Sequence, residues 1–269
     1  MVHNQIKEIY TLIKRDFMTT RFFKVRSFLT PLSFPLVYLY VGGFIYGSLF
    51  DVVTIQNVEI AYPAFLAVGL IVAQVFQGSS MCSSMYWIDV RVNMLSQLKH
   101  LGYTSRSYYL SKLVSILVLS LFNGFIFLLV ALPIVIHTYA AGFIFSIVSI
   151  GITIVALLLC ASVFTSFYFI IISLSKNPQT YNLISTVTLF PIMFLSETFY
   201  PVGGIPVPYV YILRGNPLSL TSNILRSVLL GIPGDTVAYV MLLCVFSVII
   251  VSVSLIVFER GFEKKYGGN

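Results

Sequence analysis

The stretch Phe190–Gly231 reads FPIMFLSETFYPVGGIPVPYVYILRGNPLSLTSNILRSVLLG. It is too apolar for a soluble loop, yet five prolines (Pro191, Pro201, Pro206, Pro208, Pro217) and the pair Gly203-Gly204 interrupt it. One spanning helix needs about 20 uninterrupted apolar residues, and a proline inside a helix removes a hydrogen bond and clashes with the preceding turn. We therefore expect a re-entrant hairpin over 194–231, two short helical arms that enter and leave on one side of a membrane. Irregular backbone survives at membrane depth only where protein or a water-filled cavity covers it, which puts the hairpin beside a pathway. Its second arm should start near Leu218, with Asn216-Pro217 as the turn and Ser219 as a cap. Asn223 and Arg226 then share a face with Ser219 and Ser222. A centrally placed Arg costs roughly 2.5–3.5 kcal/mol on insertion scales, and Glu197 is the hairpin's only carboxylate. A Glu197–Arg226 pair that closes an exit is one expectation; the other is that both side chains face outside water. With Pro201, Asn216 and Pro217 they form the candidate gate.

The rest of the chain sets the same scene. Of 269 residues, 58% are hydrophobic and only 9% charged, far from the roughly one-quarter charged of soluble domains. A single, all-α, multi-pass membrane domain is expected. Spans are read at 28–50, 62–81, 113–136, 143–174, 181–193 and 237–258, which makes six. The first carries a Gly43/Gly47 pair suited to close helix packing. The fourth would run about 48 Å as one helix against a ~30 Å hydrocarbon core, so it tilts, protrudes or begins along the interface.

Before the first span, residues 1–27 mix charges with Ile6, Ile9, Tyr10, Ile13 and Phe17 at spacings of three and four. That pattern predicts an amphipathic helix lying in the membrane interface. A second amphipathic segment falls in 85–104, where Met94, Leu95, Leu98 and Leu101 form one stripe and Gly102 ends the helix.

The charges orient the spans. Fourteen of the sixteen Lys and Arg residues lie before the first span, in the 85–112 loop, at Lys176 or in the tail. The exceptions are Arg214 and Arg226. By the positive-inside rule both termini are cytoplasmic. The net charge of +7 is explained by those loops, and no nucleic-acid partner is expected. Cys82, Cys160 and Cys244 and the three histidines are scattered, without metal-ligand or disulfide spacing.

The order Phe194-Leu195-Ser196, Phe199-Tyr200-Pro201, Ile205-Pro206, Asn216-Pro217-Leu218-Ser219, Arg226 and Gly231 resembles the membrane subunits of ABC-2 type ABC exporters. Glu197 stands where that family usually has a small residue. Leu95, Leu98, Ser105 and Arg106 are likewise similar to the family's coupling helix, which meets the ATPase. Val92-Asn93 and Tyr103 depart from that phrase.

The resemblance implies a plasma-membrane subunit that forms the substrate pathway as a dimer, with itself or a related chain, among membrane lipid. It places the coupling contact on Met94, Leu95, Leu98, Leu101, Ser105 and Arg106. ATP and Mg would be bound by separate ATPase subunits. The chain itself has no Gly-Lys pair and hence no P-loop, so no catalysis and no bound cofactor are expected of it. Lipids, lipid-linked glycans and amphipathic drugs are the cargo classes implied. An ion-coupled carrier and a non-transporting scaffold stay open as alternatives.

Overall fold

The computed structural model describes residues 2–19, 32–33, 35–43, 45, 52–55, 58–139, 143–203 and 205–266. About half of the expected first span, including Gly47, lies outside the described residues; within it Tyr38–Gly42 forms a π-helical turn.

Helix α1 covers Val2–Thr19. Strands β1 (Val52–Ile55) and β2 (Val58–Ala61) pair antiparallel, with Thr54 opposite Glu59. Then follow α2 (Tyr62–Ser83), α3 (Met85–Arg91), α4 (Met94–His100), α5 (Ser105–Tyr139), α6 (Ile147–Leu174), α7 (Pro178–Phe194), α8 (Val207–Gly215), α9 (Pro217–Leu230) and α10 (Thr236–Tyr266). Among the described residues, four helices are long and apolar enough to cross a membrane, those built on α2, α5, α6 and α10. Helix α7, with 17 residues and Pro191 inside it, is shorter than these.

Helix α2 is the centre, packed against α5, α6 and α9. Small residues let its neighbours in. A Cβ on Gly69 would meet the Thr198 carbonyl oxygen at 2.0 Å, and one on Gly124 of α5 would meet Val75 at 2.8 Å. Hydroxyls stitch the spans: Ser79 to Ser120 at 3.3 Å, Tyr109 to Ser166 at 3.1 Å and Ser162 to Ser247 at 2.6 Å. Such groups bond across helices because hydrocarbon offers them no other partner. At one end of the bundle the buried Phe258 ring of α10 meets Tyr86, Tyr108, Tyr109, Phe169 and Phe262, with centroids 5.7–6.0 Å apart.

Boundaries differ from expectation where capping intervenes. Helix α6 begins at Ile147, not Phe143, because the Ser146 side chain accepts from the Ser149 N–H; it is therefore only about 42 Å long. The preceding residues turn aside, and the Ile144 N–H donates to the Leu229 carbonyl at 2.8 Å. Helix α7 starts at Pro178, capped by Asn177. Helices α5 and α10 run beyond their expected apolar stretches into charged sequence.

Candidate functional site

Three arrangements of polar side chains stand out in this apolar body. The first joins α7, α8 and α9 at the end of α2 that carries the β hairpin. Asn216 caps α9: its side chain accepts from the Leu218 N–H at 3.0 Å, and its Nδ2 donates to Ile192 and Leu195 carbonyls, each at 2.8 Å. One side chain thus fixes both the α9 start and the α7 end, with Pro217 preset for the first helical position. Ser219 is not the cap, because Asn216 already satisfies that turn; its Oγ accepts from the Glu197 N–H at 2.8 Å.

Glu197 and Arg226 are both buried, 6% and 2% exposed, and within the chain they approach each other without a direct ion pair. Asn223 lies between them, its Nδ2 donating to Glu197 Oε2 at 2.7 Å and its Oδ1 accepting from Arg226 at 3.4 Å. Among the described residues, the cation within 4.0 Å of Glu197 is Arg214, at 3.4 Å. Arg226 instead donates to the Thr198 carbonyl at 3.0 Å and the Phe65 carbonyl at 3.4 Å, and lies 3.5 Å over the Phe65 ring. A desolvated cation–π contact of this kind contributes about 2 kcal/mol. The reason for the difference is reach: carbonyls and a ring already surround the guanidinium where α2 passes closest. Pro201 lines the adjoining cavity.

The second arrangement lies at the opposite end of α2 and ties α1 to the helix bundle. Lys112 Nζ sits 2.9 Å from Asp16 and 2.8 Å from Asp89. Arg15 reaches Asp16 at 2.5 Å and Asp89 at 3.3 Å, and also contacts the Met94 sulfur. Tyr108 donates to Asp89 at 2.8 Å. Burial pulls the Arg15 guanidinium down, but the hydrogen bond and charge of Asp16, with Asp89, outweigh it and hold the group above its ordinary value. Because this cluster turns Leu12 and Asp16 inward, Ile6 and Tyr10 of the expected apolar face are left exposed.

The candidate coupling residues separate here. Leu95 and Leu98 are buried inside the chain and Met94 is half-buried, whereas Leu101 is 73% exposed. The apolar stripe therefore closes the subunit, and only its last member faces out. Ser105 is half-buried at the start of α5, and the exposed Arg106 pairs with Glu259 of α10. Asn93 (φ 53°) separates α3 from α4, and Gly102 (φ 82°) follows α4, each in a left-handed conformation that Asn and Gly tolerate best.

The third arrangement is a groove of about 440 Å³ between α2 and α7, lined by Gln77, Ser80, Ser84, Asn182, Ser185 and Thr186 among others. Helix α7 touches α2 and α6 only lightly, anchored by the Tyr181 hydroxyl on the Ser80 carbonyl at 2.9 Å. Asn182 and Thr186 are exposed.

Several of these residues carry no sequence signal of a role: Phe65, Gly69 and Thr198 join the first arrangement only through folding, and Arg214 stood out only as a basic residue away from the cytoplasmic segments. Asn223 had one, its place a helical turn before Arg226. Among the described residues, no group of three or more His, Cys, Asp or Glu is placed to hold a metal.

Comparison with known proteins agrees with the build of the molecule. A family model described as ABC-2 type transporter matches residues 7–230. No curated protein matches the chain. With apolar helices fit to cross a membrane and a match over well more than half its length, the chain belongs to the ABC-2 type transporter family, as a membrane-spanning component of an ABC transporter.

Proposed function

We propose that this chain is the membrane subunit of an ATP-driven exporter, working as a dimer in the plasma membrane with ATP and Mg held by separate ATPase subunits. Its six spans include α7 and the 28–50 segment, both termini are cytoplasmic, and α8 with α9 forms a re-entrant hairpin. The groove between α2 and α7, where polar side chains alternate with Met81, Leu189 and Phe190, carries this proposal. Asn182 and Thr186 are exposed on a lightly held helix, and amides and hydroxyls left in hydrocarbon without partners are costly. A second membrane subunit laid over α7 would cover them and turn the groove into a path between subunits. Cargo then moves along Gln77, Ser80 and Thr186 toward the hairpin.

The ATPase contact is assigned to the exposed rim of α3 and α4, with Val92 and Leu101 as its apolar points. Affinity purification of the tagged chain from its own membranes should bring down an ATPase subunit whose hydrolysis rises with cargo. A chain that purifies without any nucleotide-hydrolysing partner would refute the exporter.

A further inference from the structure

A cavity of about 220 Å³ opens beside Glu197 and Arg226, closed on its other sides by β1 and the turn between α9 and α10. One buried water needs only about 10–15 Å³, so there is room for a small charged group. Among the described residues, its wall holds two guanidinium groups, Arg214 and Arg226, and one carboxylate, Glu197. The carboxylate already has Asn223 on one oxygen and Arg214 3.4 Å from the other. Arg226 has no carboxylate within 4.0 Å among the described residues. Carbonyl oxygens, an amide oxygen and a ring receive it. Neutral partners solvate the guanidinium, and the one carboxylate that reaches it through Asn223 is shared with Arg214, so two cations face one anion and the charge is only partly offset, which is costly for a buried group.

Among the described residues, two buried atoms in this wall lack a hydrogen-bond partner: Arg226 Nε, a donor, and Glu197 Oε1, an acceptor. Ser227 adds a hydroxyl. Glu59, opposite Thr54, and Asp235, next to Gly234, are exposed and lie outside the wall, where water screens them.

We propose that this cavity binds a hydroxyl-bearing phosphate ester. Arg226 and Arg214 meet the oxyanion, and Glu197 Oε1 accepts from the neighbouring hydroxyl. An oxyanion supplies the charge that Arg226 lacks, and guanidinium groups suit phosphate oxygens. The hydroxyl supplies the donor that Glu197 lacks. The same chemistry is offered by a soluble ester and by a phospholipid headgroup. Binding here goes beyond export and does not depend on it, so it is measured on the full chain alone.

The purified chain in detergent is titrated with glycerol 3-phosphate, inorganic phosphate and chloride at matched ionic strength, reading thermal stabilisation. Glycerol 3-phosphate should stabilise it saturably and more than inorganic phosphate does. Arg214→Gln, at an exposed side chain, should weaken both by about fivefold, the scale of one screened ion pair. Glu197→Gln should tighten inorganic phosphate and abolish the preference for the ester. Equal stabilisation of all three proteins would mean an adventitious ion only, and no saturable stabilisation would also overturn the site. In a second arm the chain is taken from phosphatidylglycerol or phosphatidylcholine nanodiscs into native mass spectrometry. Retained phosphatidylglycerol that glycerol 3-phosphate displaces assigns the site to a headgroup. No retention, with the detergent result standing, assigns it to a soluble ester.

Discussion

Gly69 shows how much one missing side chain decides. Its bare backbone lets the Thr198 carbonyl sit where a Cβ would be, 2.0 Å away, and that carbonyl is the 3.0 Å acceptor for Arg226. Gly69→Ala must push the Thr198 loop outward; overpacking of this kind costs about 1–3 kcal/mol. A lowered thermal midpoint in detergent, with loss of export, is the expected result, while an unchanged midpoint would mean that the loop yields freely. The bridge through Asn223 changes what a charge swap should do. Since Glu197 and Arg226 meet through an amide and Arg214 is the cation beside Glu197, Glu197→Arg sets two guanidinium groups side by side. The double swap, Glu197→Arg with Arg226→Glu, should export no better than the worse of the two single mutants. Recovery would argue for a direct pair in another state of the transporter.

Helix α4 is where pattern and packing part. Its stripe is amphipathic, but Leu95 and Leu98 point into the subunit and Leu101 points away. Leu98→Asp should thus reduce the amount of folded chain, since a buried unpaired charge costs several kcal/mol. Leu101→Asp should leave the thermal midpoint alone and break ATPase co-purification. If Leu98→Asp folds normally while Leu101→Asp still binds the ATPase, the docking face lies elsewhere. Helix α1 is fastened by charge. Lys112→Ala leaves Arg15 as the remaining cation on Asp16 and Asp89, so the loss should fall below the roughly 3–5 kcal/mol of a buried charge stripped of its partner. The readout is release of α1, seen as protease cleavage near Thr19 that the wild type resists.

For the whole molecule, orientation and assembly are the open quantities that experiment can fix. In a cysteine-free background, a cysteine at Gly234 should react with an impermeant label in sealed cells, and cysteines at Lys99 or Lys176 only after permeabilisation. Labelling of Lys99→Cys from outside would invert the proposed topology. Thr186→Cys, on the exposed side of α7, should crosslink to a neighbouring membrane subunit. A monomer under oxidising conditions would take the pathway off that face. Helix α10 should not crosslink. Of its most apolar 18 residues only 17% are buried; Leu243, Ser247 and Phe258 hold it to the bundle, and the exposed Val245, Val248, Ile249 and Val253 turn an apolar face to lipid.

Composition, apolar run length and charge asymmetry are one-dimensional quantities, and they were enough for the membrane class and the position of most long helices; the family was legible only through the order of short motifs between Phe194 and Gly231, which resembles that of ABC-2 type transporters. The turn at Asn216-Pro217 and the stop at Gly102 were also legible, because capping and left-handed backbone are local. Which way a side chain points across a bundle is not local. Periodicity found the α4 stripe but could not say whether it faced a partner or its own core. Sequence placed Glu197 and Arg226 in one broken segment, yet Asn223, Arg214, Thr198 and the Phe65 ring compete for them, and only tertiary distances rank such competitors. The ion cluster of Arg15, Asp16, Asp89 and Lys112 draws on three helices. Charges that far apart in sequence have no signature until packing removes the water between them and makes pairing the only way to bury them.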